Sequence, residues 1–149
     1  MTRILCVCLG NTCRSPMAQG VIEAMAQAAG LAVEVDSAGL GAWHVGKPPH
    51  PMGLAAASAR GYDTSHQRTR MVAPGDFHAF DLIVAMDGAN LAALHALRPA
   101  GARARIRLFD PQARDIPDPW GGTPADYDHA LDLIEAAARA LVAGLAARR

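Results

Sequence analysis

The hydrophobic and polar positions near the amino terminus predict a strand, a helix and a second strand. Ile4-Leu5-Cys6-Val7 is a compact apolar run, which is typical of a strand buried on both faces. Residues 16–29 are compatible with a helix, for which Ser15 is the expected N-cap and Gly30 the residue that ends it. A further apolar run follows over residues 31–36. This order and spacing predict a right-handed βαβ unit with parallel strands.

The rest of the chain continues with short apolar runs, helical stripes and two long segments without periodicity. The patterns predict strands over 80–87 and 104–108, and helices over 52–59, 87–98 and 126–147. Residues 37–51 and 109–124 contain many glycines and prolines, so we expect long loops there. Long loops in small domains tend to carry function, and ligands of parallel sheets bind at the carboxyl ends of the strands.

Composition and charge exclude several classes of protein. The chain has 149 residues, of which 51% are hydrophobic and 19% are charged, and its formal net charge is zero. This composition is globular, and a neutral chain gives no global electrostatic reason to expect nucleic acid or a membrane as partner. The 3 cysteines lie so close in sequence that disulfides between them could not link distant segments, as disulfides do in small secreted proteins. No signal peptide and no apolar run of about 20 residues is visible, so we expect a cytoplasmic protein.

The stretch between the first strand and the first helix predicts a site for an anion. Its sequence is Cys8-Leu9-Gly10-Asn11-Thr12-Cys13-Arg14-Ser15-Pro16. Backbone N–H groups of such a loop can converge on one point, with the positive end of the helix behind them. Gly10 and Asn11 are residue types that tolerate the left-handed backbone of an anion-binding nest. The predicted phosphate-binding residues are Leu9, Gly10, Asn11, Thr12, Cys13 and Ser15.

Two side chains of this loop suggest catalysis rather than binding alone. Cys8 ends the strand, so its sulfur is expected at the focus of the loop, where N–H donors favour the nucleophilic thiolate. Arg14 carries a planar guanidinium that can hold two oxygens of a phosphoryl group. Ser15 can donate a hydrogen bond to the sulfur when it leaves. The alternative without catalysis is that Cys8 is a buried structural residue and Arg14 a surface residue.

The loop resembles the signature Cys-x-Gly-Asn-x-Cys-Arg-Ser-Pro of the low-molecular-weight protein tyrosine phosphatase family. The resemblance extends over nearly the whole chain. It implies an α/β fold in which a single three-layer domain, residues 1–149, has a four-stranded parallel sheet with helices on both faces. It also implies a phosphatase that works through a phosphocysteine intermediate without a cofactor. No paired histidine or cysteine spacing of the zinc-binding kind is present, so we expect no metal.

The second long loop offers a general acid, which phosphoryl transfer from a phenol requires. It contains Asp115-Ile116-Pro117-Asp118-Pro119-Trp120-Gly121-Gly122. Asp118 matches the Asp-Pro-aromatic motif of the family and is the expected acid, and the negative charge of a thiolate and a phosphate nearby would favour its protonated form. An Asp-Pro pair is also a common turn. Asp110 and Asp115 are weaker candidates.

Several residues outside the loop resemble family positions that surround the site. Trp43 and Trp120 are expected to form walls of the substrate cleft, although Trp43 read from composition alone fits a buried core residue equally well. Ser37 is expected to hold the loop in shape through a hydrogen bond to Asn11. Asp87 is expected to help order the loop, or to act only as the cap of a helix.

The turn before the third strand carries one histidine and two arginines of interest. His66 matches a family histidine that approaches the loop bearing the acid, so a supporting role is expected for it. Arg68 and Arg70 form a solvated basic edge or attract an anionic phosphopeptide. The sequence leaves these alternatives open.

The substrate is expected to be a phosphotyrosine-containing protein, and one such protein could be a bacterial tyrosine kinase. The phosphatase itself is expected to be a monomer or a weak dimer. The alternative is a protein-arginine phosphatase, because such members resemble this chain at Thr12 and at Trp120-Gly121-Gly122. An arsenate reductase is less expected, since no cysteine follows Cys13. A non-catalytic phosphate-binding module is a further alternative. Cys13 itself either packs inside the loop or, as the resemblance suggests, forms a reversible disulfide with Cys8.

Overall fold

Short apolar runs and helical stripes produce a sheet that is covered on both faces. The computed structural model of the chain describes residues 1–148. The elements in order are β1 (Thr2–Cys8), α1 (Arg14–Ala28), β2 (Val33–Gly39), α2 (Pro51–Ala59), α3 (Asp76–Ala79), β3 (Leu82–Ala85), α4 (Gly88–Leu97), β4 (Arg105–Leu108) and α5 (Pro124–Ala147). The predicted α/β architecture is confirmed.

The sheet is parallel throughout and has the strand order β2-β1-β3-β4. In its register Cys8 pairs with Gly39, Val7 with Ala85, and Ala85 with Leu108. The carboxyl ends of the strands therefore meet at one edge of the sheet. The loops that follow β1, β3 and β4 all leave from this edge, which brings segments distant in sequence to one place.

Alternate residues of β1 divide the interior into two cores. Ile4 and Cys6 pack with residues of α1 and α5 on one face of the sheet. Leu5 and Val7 pack on the other face with Phe77 of α3 and other buried residues, including one from α4. All four side chains have no exposed surface. Burial on both faces explains why the run of β1 is continuously apolar rather than alternating.

The first helix begins earlier than the sequence predicted. Its first residue is Arg14 and its N-cap is Cys13, which makes no side-chain capping hydrogen bond. The prediction of Ser15 as N-cap is therefore wrong, because the Ser15 hydroxyl lies in the first turn and is engaged by other residues of the loop. The predicted end is confirmed, since Gly30 follows the C-cap with a φ of 68°.

Other elements also differ from the predicted ones, for example β3, which spans Leu82–Ala85 rather than residues 80–87. The second strand starts at Val33 and includes Ser37-Ala38-Gly39, which had the composition of a loop but pair with β1. The helix α3 has only 4 residues, too few to show a period, and was not predicted. The last helix starts at Pro124 because Thr123 and Asp126 form a capping box.

No helix within residues 1–148 combines the length and the apolar character that crossing a membrane requires.

Candidate active site

The loop between β1 and α1 places Cys8 and Arg14 at its two ends. Cys8 is the last residue of β1 and Arg14 the first of α1, and both are buried. Asn11 has a φ of 53°, as expected for a left-handed position, whereas Gly10 does not, so that part of the prediction is wrong. Gly39 is needed for a different reason, because a Cβ there would lie 2.8 Å from the Asn11 amide nitrogen.

Ser15 joins the sulfur of Cys8 to the rest of the loop. Its hydroxyl lies 3.0 Å from Cys8 Sγ and accepts a hydrogen bond from Asn11 Nδ2 at 2.8 Å. The Ser15 hydroxyl has a single hydrogen. Because the hydroxyl oxygen already accepts from the Asn11 amide, that hydrogen can be donated to the Cys8 sulfur. This geometry suits the stabilisation of a thiolate.

Asn11 fastens the loop to neighbouring segments through both ends of its amide group. Its Nδ2 donates to Ser37 Oγ at 2.9 Å as well as to Ser15. Its Oδ1 accepts from the backbone amide of Arg70 at 2.9 Å. The Asn11 side chain is buried, so these three bonds satisfy it away from water. The expected contact between Ser37 and Asn11 is present.

The guanidinium of Arg14 is held by groups from two other loops. Its Nη1 donates to Asp87 Oδ2 at 2.7 Å and to the carbonyl oxygen of Ile116 at 2.9 Å. Its Nη2 lies 3.6 Å from Asp118 Oδ2. Asp87 also caps α4, because its Oδ1 accepts from the Asn90 amide at 2.8 Å. Both predicted roles of Asp87 therefore occur together.

A cavity of about 380 Å³ opens above the loop. Asp118 lies on its rim, where Oδ1 accepts from the Trp120 amide at 3.1 Å and 42% of the side chain is exposed. Trp43 and Trp120 are 65% and 59% exposed, which excludes the core role for Trp43. The residues lining the cavity are Cys8, Leu9, Gly10, Thr12, Cys13, Trp43, His44, Asp118 and Trp120. The structure thus brings together residues that the sequence separates by more than a hundred positions.

The other two cysteines are held as neutral thiols. Burial raises the pKa of the Cys6 thiol well above its ordinary value. Burial also raises the pKa of Cys13 to about 12, although the hydrogen bond with Tyr127 acts in the opposite direction. Cys13 Sγ lies 3.3 Å from Tyr127 Oη, and the pKa of Tyr127 is raised by burial and then by Cys13. The raised pKa values make Cys6 and Cys13 poor candidates for the nucleophile of phosphoryl transfer.

His66 does not support the acid-bearing loop. Its side chain is exposed, and in the part of the chain that the structure describes no hydrogen bond or ion pair joins it to residues 109–124. The prediction for His66 is therefore corrected. The neighbouring Gln67 makes the contact with the start of α1, where its Nε2 donates to the carbonyl oxygen of Pro16 at 3.0 Å.

The remaining charged candidates have structural partners. Arg70 forms ion pairs with Asp36 and Asp76, each at 3.0 Å, and is not free to attract a phosphopeptide. Asp110 is buried and pairs with Arg114 at 3.0 Å. Asp115 accepts from the Gly88 amide at 2.9 Å. These contacts leave Asp118 as the carboxylate of the cavity rim.

Two residues that contact the loop between β1 and α1 were not predicted from the sequence. The His50 amide donates to the Thr12 carbonyl oxygen at 2.9 Å, and its ring stacks on Tyr127 with centroids 5.8 Å apart. Tyr127 belongs to the apolar stripe of α5, where its hydroxyl was the one available signal of a polar contact. His50 precedes a proline and gave no signal beyond that of a helix start.

The sequence profile described as "Low molecular weight phosphotyrosine protein phosphatase" matches residues 3–149. The chain belongs to this family. It is also 39% identical over 142 residues to the low molecular weight phosphotyrosine protein phosphatase of Schizosaccharomyces pombe, covering 89% of this chain and 90% of the relative. Family membership makes it an enzyme of a hydrolase family with cysteine-based catalysis.

Two solved structures are similar to this protein over nearly their full lengths. One is Vibrio vulnificus Wzb in complex with benzylphosphonate, with a TM-score of 0.88, 30% identity, and coverage of 96% of this chain and 98% of that chain. The other is described as a Drosophila arginine phosphatase, with a TM-score of 0.89, 28% identity, and coverage of 97% and 98%. The fold is therefore common to a protein solved with an aromatic phosphonate and to one described as an arginine phosphatase.

Proposed function

We propose that this protein hydrolyses phosphotyrosine in proteins through a phosphocysteine formed on Cys8. The observation that carries the proposal is the position of the buried Cys8 sulfur, 3.0 Å from the Ser15 hydroxyl at the base of a cavity whose rim bears Asp118. The presence of Cys8, the loop residues and Asp118 around one cavity supports the proposal, because an in-line displacement needs a nucleophile and an acid on opposite sides of the phosphoryl group.

In the first step the Cys8 thiolate attacks phosphorus and forms a sulfur–phosphorus bond. The bond between phosphorus and the tyrosyl oxygen breaks, and the Asp118 carboxyl group transfers its proton to that oxygen. Asp118 is half exposed on the rim, where a leaving phenol can reach it. Tyrosine leaves as the neutral phenol, and the phosphoryl group stays on Cys8.

Arg14 and the loop amides stabilise the charge on the phosphoryl oxygens during both steps. The guanidinium is oriented before substrate arrives, because Asp87 and the Ile116 carbonyl group fix its Nη1. Preorganised donors of this kind avoid the cost of reorganisation at the moment of reaction. The Arg14 side chain is 2% exposed, so it acts away from competing water.

In the second step water attacks the phosphocysteine and releases inorganic phosphate. Asp118, now a carboxylate, takes a proton from that water. The sulfur–phosphorus bond breaks, its electron pair returns to Cys8, and the Ser15 hydroxyl donates to the departing thiolate at the distance it has in the structure. The enzyme is regenerated without a cofactor.

Phosphotyrosine is favoured over phosphoarginine by the walls of the cavity and by the relatives. Trp43 and Trp120 offer exposed indole faces on which a phenyl ring can pack. The Wzb structure holds benzylphosphonate, in which an aromatic ring stands beside a phosphonate. The relative in Schizosaccharomyces pombe that is named for phosphotyrosine is 39% identical to this chain over 142 residues. Thr12 is then a tolerated variation of the loop.

The test is turnover of matched phosphotyrosine and phosphoarginine peptides, measured side by side. We expect at least tenfold higher kcat/KM for phosphotyrosine, with activity abolished in Cys8→Ser and reduced in Asp118→Asn. A preference for phosphoarginine would make Thr12 the selector and overturn the proposed substrate. No turnover of either peptide by the unaltered protein would leave a phosphate-binding module in place of an enzyme.

Within a cell we propose a cytoplasmic site of action, with a phosphorylated protein as substrate and a bacterial tyrosine kinase as one candidate. Trp43 and Trp120 are exposed on the rim, and an unfolded tail can bring its phosphotyrosine between them without the steric conflict that a folded surface around that residue would meet. The check compares dephosphorylation of a kinase tail with that of a folded phosphoprotein. Equal rates on both would contradict the preference for a tail.

A further inference from the structure

A second cavity, of about 680 Å³, lies at the edge of the sheet opposite Cys8. Its walls come from the starts of β1 and β2, from β3 and β4, and from the last turns of α5. Thr2, at one end of β1, lines this cavity, while Cys8, at the other end, lines the candidate active site. A strand rises about 3.3 Å per residue, so roughly 20 Å of β1 separates the two cavities.

Three arginines line the second cavity: Arg105 and Arg107 on β4, and Arg148 at the C-cap of α5. Residues of β4 alternate between the faces of this edge strand. Ile106 and Leu108 pack against the core beneath α3 and α4. Arg105 and Arg107 therefore occupy the face that β1 and β3 cover with apolar side chains against α1 and α5.

These arginines lack acidic partners within the part of the chain that the structure describes. Among residues 1–148, no carboxylate lies within 4.0 Å of their guanidinium nitrogens. Asp81, the acidic residue of the cavity wall, already pairs with Arg103 at 2.8 Å. Burial, and then the charges of Arg105 and Arg148, lower the pKa of Arg107. Arg107 thus lies in the field of Arg105 and Arg148 with no carboxylate beside it among residues 1–148, and its Nη1 donates to the carbonyl oxygens of Leu108 and Phe109 at 2.8 and 3.4 Å.

The remaining walls are largely apolar. They include Leu31, Val33, Leu82, Leu141 and Leu145. The volume falls within the range of about 300–1,000 Å³ that is common for small-molecule sites, and such sites combine apolar walls with a few convergent polar groups. Guanidinium groups match phosphate oxygens in pairs, and several together suit a ligand with more than one negative charge.

We propose that this cavity binds a small organic phosphate whose anionic group faces Arg105, Arg107 and Arg148 and whose ring or hydrocarbon body lies against the leucines. The inference concerns a site separate from the phosphatase reaction and does not depend on it. Binding there leaves the opening above Cys8 free. It relieves the mutual repulsion of the arginines, which supplies part of the driving force.

The test is a titration followed by the backbone amide signals of two glycines in heteronuclear NMR spectra. Gly144 lines the second cavity and Gly10 lines the candidate active site, so binding at the two sites is read separately. The probes are AMP, pyrophosphate and adenosine, which carry phosphate with a ring, charge alone and a ring alone. We expect saturable shifts of Gly144 with AMP, weaker binding of pyrophosphate, and no binding of adenosine.

The variant Arg105→Gln/Arg148→Gln tests whether the arginines carry the binding. Both side chains are exposed, so this variant should keep the fold, and thermal melting verifies it. We expect the affinity for AMP at Gly144 to fall at least tenfold. Arg139→Gln, an exposed arginine of α5 outside the cavity, is the matched control and should change it less than twofold.

Three results would overturn the proposal. The first is the absence of a saturable Gly144 shift with millimolar AMP. The second is an unchanged affinity in the double variant, and the third is pyrophosphate or adenosine binding as well as AMP does. Shifts at Gly10 alone would support the anion-binding loop and reject the second cavity, so the two proposals fail independently.

Discussion

Arg14 Nη1 and Asp87 Oδ2 form an ion pair across 2.7 Å at the carboxyl edge of the sheet. The Arg14 side chain is 2% exposed and that of Asp87 22% exposed. The other oxygen of the same carboxylate accepts from the Asn90 amide and caps α4. One aspartate on the loop after β3 therefore orients the Arg14 guanidinium and caps a helix.

Replacing Asp87 separates these two tasks. A serine at position 87 keeps a capping hydroxyl but cannot pair with the guanidinium. We expect Asp87→Ser to lower kcat/KM for a phosphotyrosine peptide about tenfold, because Arg14 loses its orientation, and to lower the free energy of unfolding by about 1–2 kcal/mol. Asp87→Ala should lose about 1 kcal/mol more through the missing cap. Kinetics and urea unfolding check both, and unchanged kcat/KM in Asp87→Ser would contradict the role of the pair.

Removing the hydroxyl of Ser15 should slow the second chemical step more than the first. The hydroxyl lies 3.0 Å from Cys8 Sγ, and in the proposed mechanism it stabilises the thiolate that leaves the phosphocysteine. We expect Ser15→Ala to lower kcat about 10-fold to 100-fold and to show a burst of phenol release, because breakdown becomes rate-limiting. Stopped-flow release measures the burst. Ser58→Ala, an exposed site in α2, is the control and should behave like the unaltered protein.

Gly39 should tolerate no side chain, because a Cβ there meets backbone atoms of the loop at Gly10 and Asn11. Backbone cannot move aside as a flexible side chain can, so we expect Gly39→Ala to cost about 1–3 kcal/mol of stability and to lower kcat/KM. Gly75→Ala is the matched control. Its Cβ would meet nothing within 4 Å and its φ is −62°. Equal Tm values for the two variants would contradict the close packing of the loop.

Oxidation tests the proposed link between Cys8 and Cys13. Peroxide converts the Cys8 thiolate to a sulfenic acid, which condenses with a thiol to a disulfide and water. Since the pKa of Cys13 is about 12, its reactive thiolate is scarce at neutral pH, and the closure rate should rise as pH rises from about 6 to 9. Tyr127→Phe removes a hydrogen bond that lowers this pKa, so it should slow closure.

The controls for oxidation are Cys13→Ser and Cys6→Ser. Peroxide inactivation should be reversed by dithiothreitol in the unaltered protein and in Cys6→Ser, because Cys6 takes no part. In Cys13→Ser the sulfenic acid has no partner and should go on to irreversible oxidation. Inactivation of the unaltered protein that a thiol cannot reverse would count against the disulfide.

The sequence predicted the sheet and the chemical core of the site because those features are local. The apolar run of β1, the loop up to Arg14 and the Asp-Pro pair at Asp118 lie in short stretches whose residue types have few alternatives. The four parallel strands agree with that prediction. The helix α3, with 4 residues, and the strand segment Ser37–Gly39 depend on pairing with distant partners, which no local pattern encodes.

The supporting contacts were the hardest to predict. His66 was expected near the acid-bearing loop, but Gln67 is the residue that turns inward towards α1. Tyr127 was predicted as part of the apolar stripe of α5, but its hydroxyl lies 3.3 Å from Cys13 Sγ. Arg105 and Arg107 gave only an alternating pattern in the sequence, because only the folded chain shows that both line one cavity with Arg148 and that no carboxylate among residues 1–148 pairs with them.

The central claim is that Cys8 carries the phosphoryl group. The direct measurement is a rapid acid quench of the reaction with an aryl phosphate that is radiolabelled at phosphorus. A nitrophenyl leaving group needs little protonation, so Asp118→Asn should still form the phosphocysteine. Hydrolysis of the phosphocysteine needs a base, so this second step should be slow in the variant. The account predicts label bound covalently to the peptide that contains Cys8, at close to one per enzyme molecule, and none in Cys8→Ser. Label on another residue, or hydrolysis at full rate by Cys8→Ser, would contradict it.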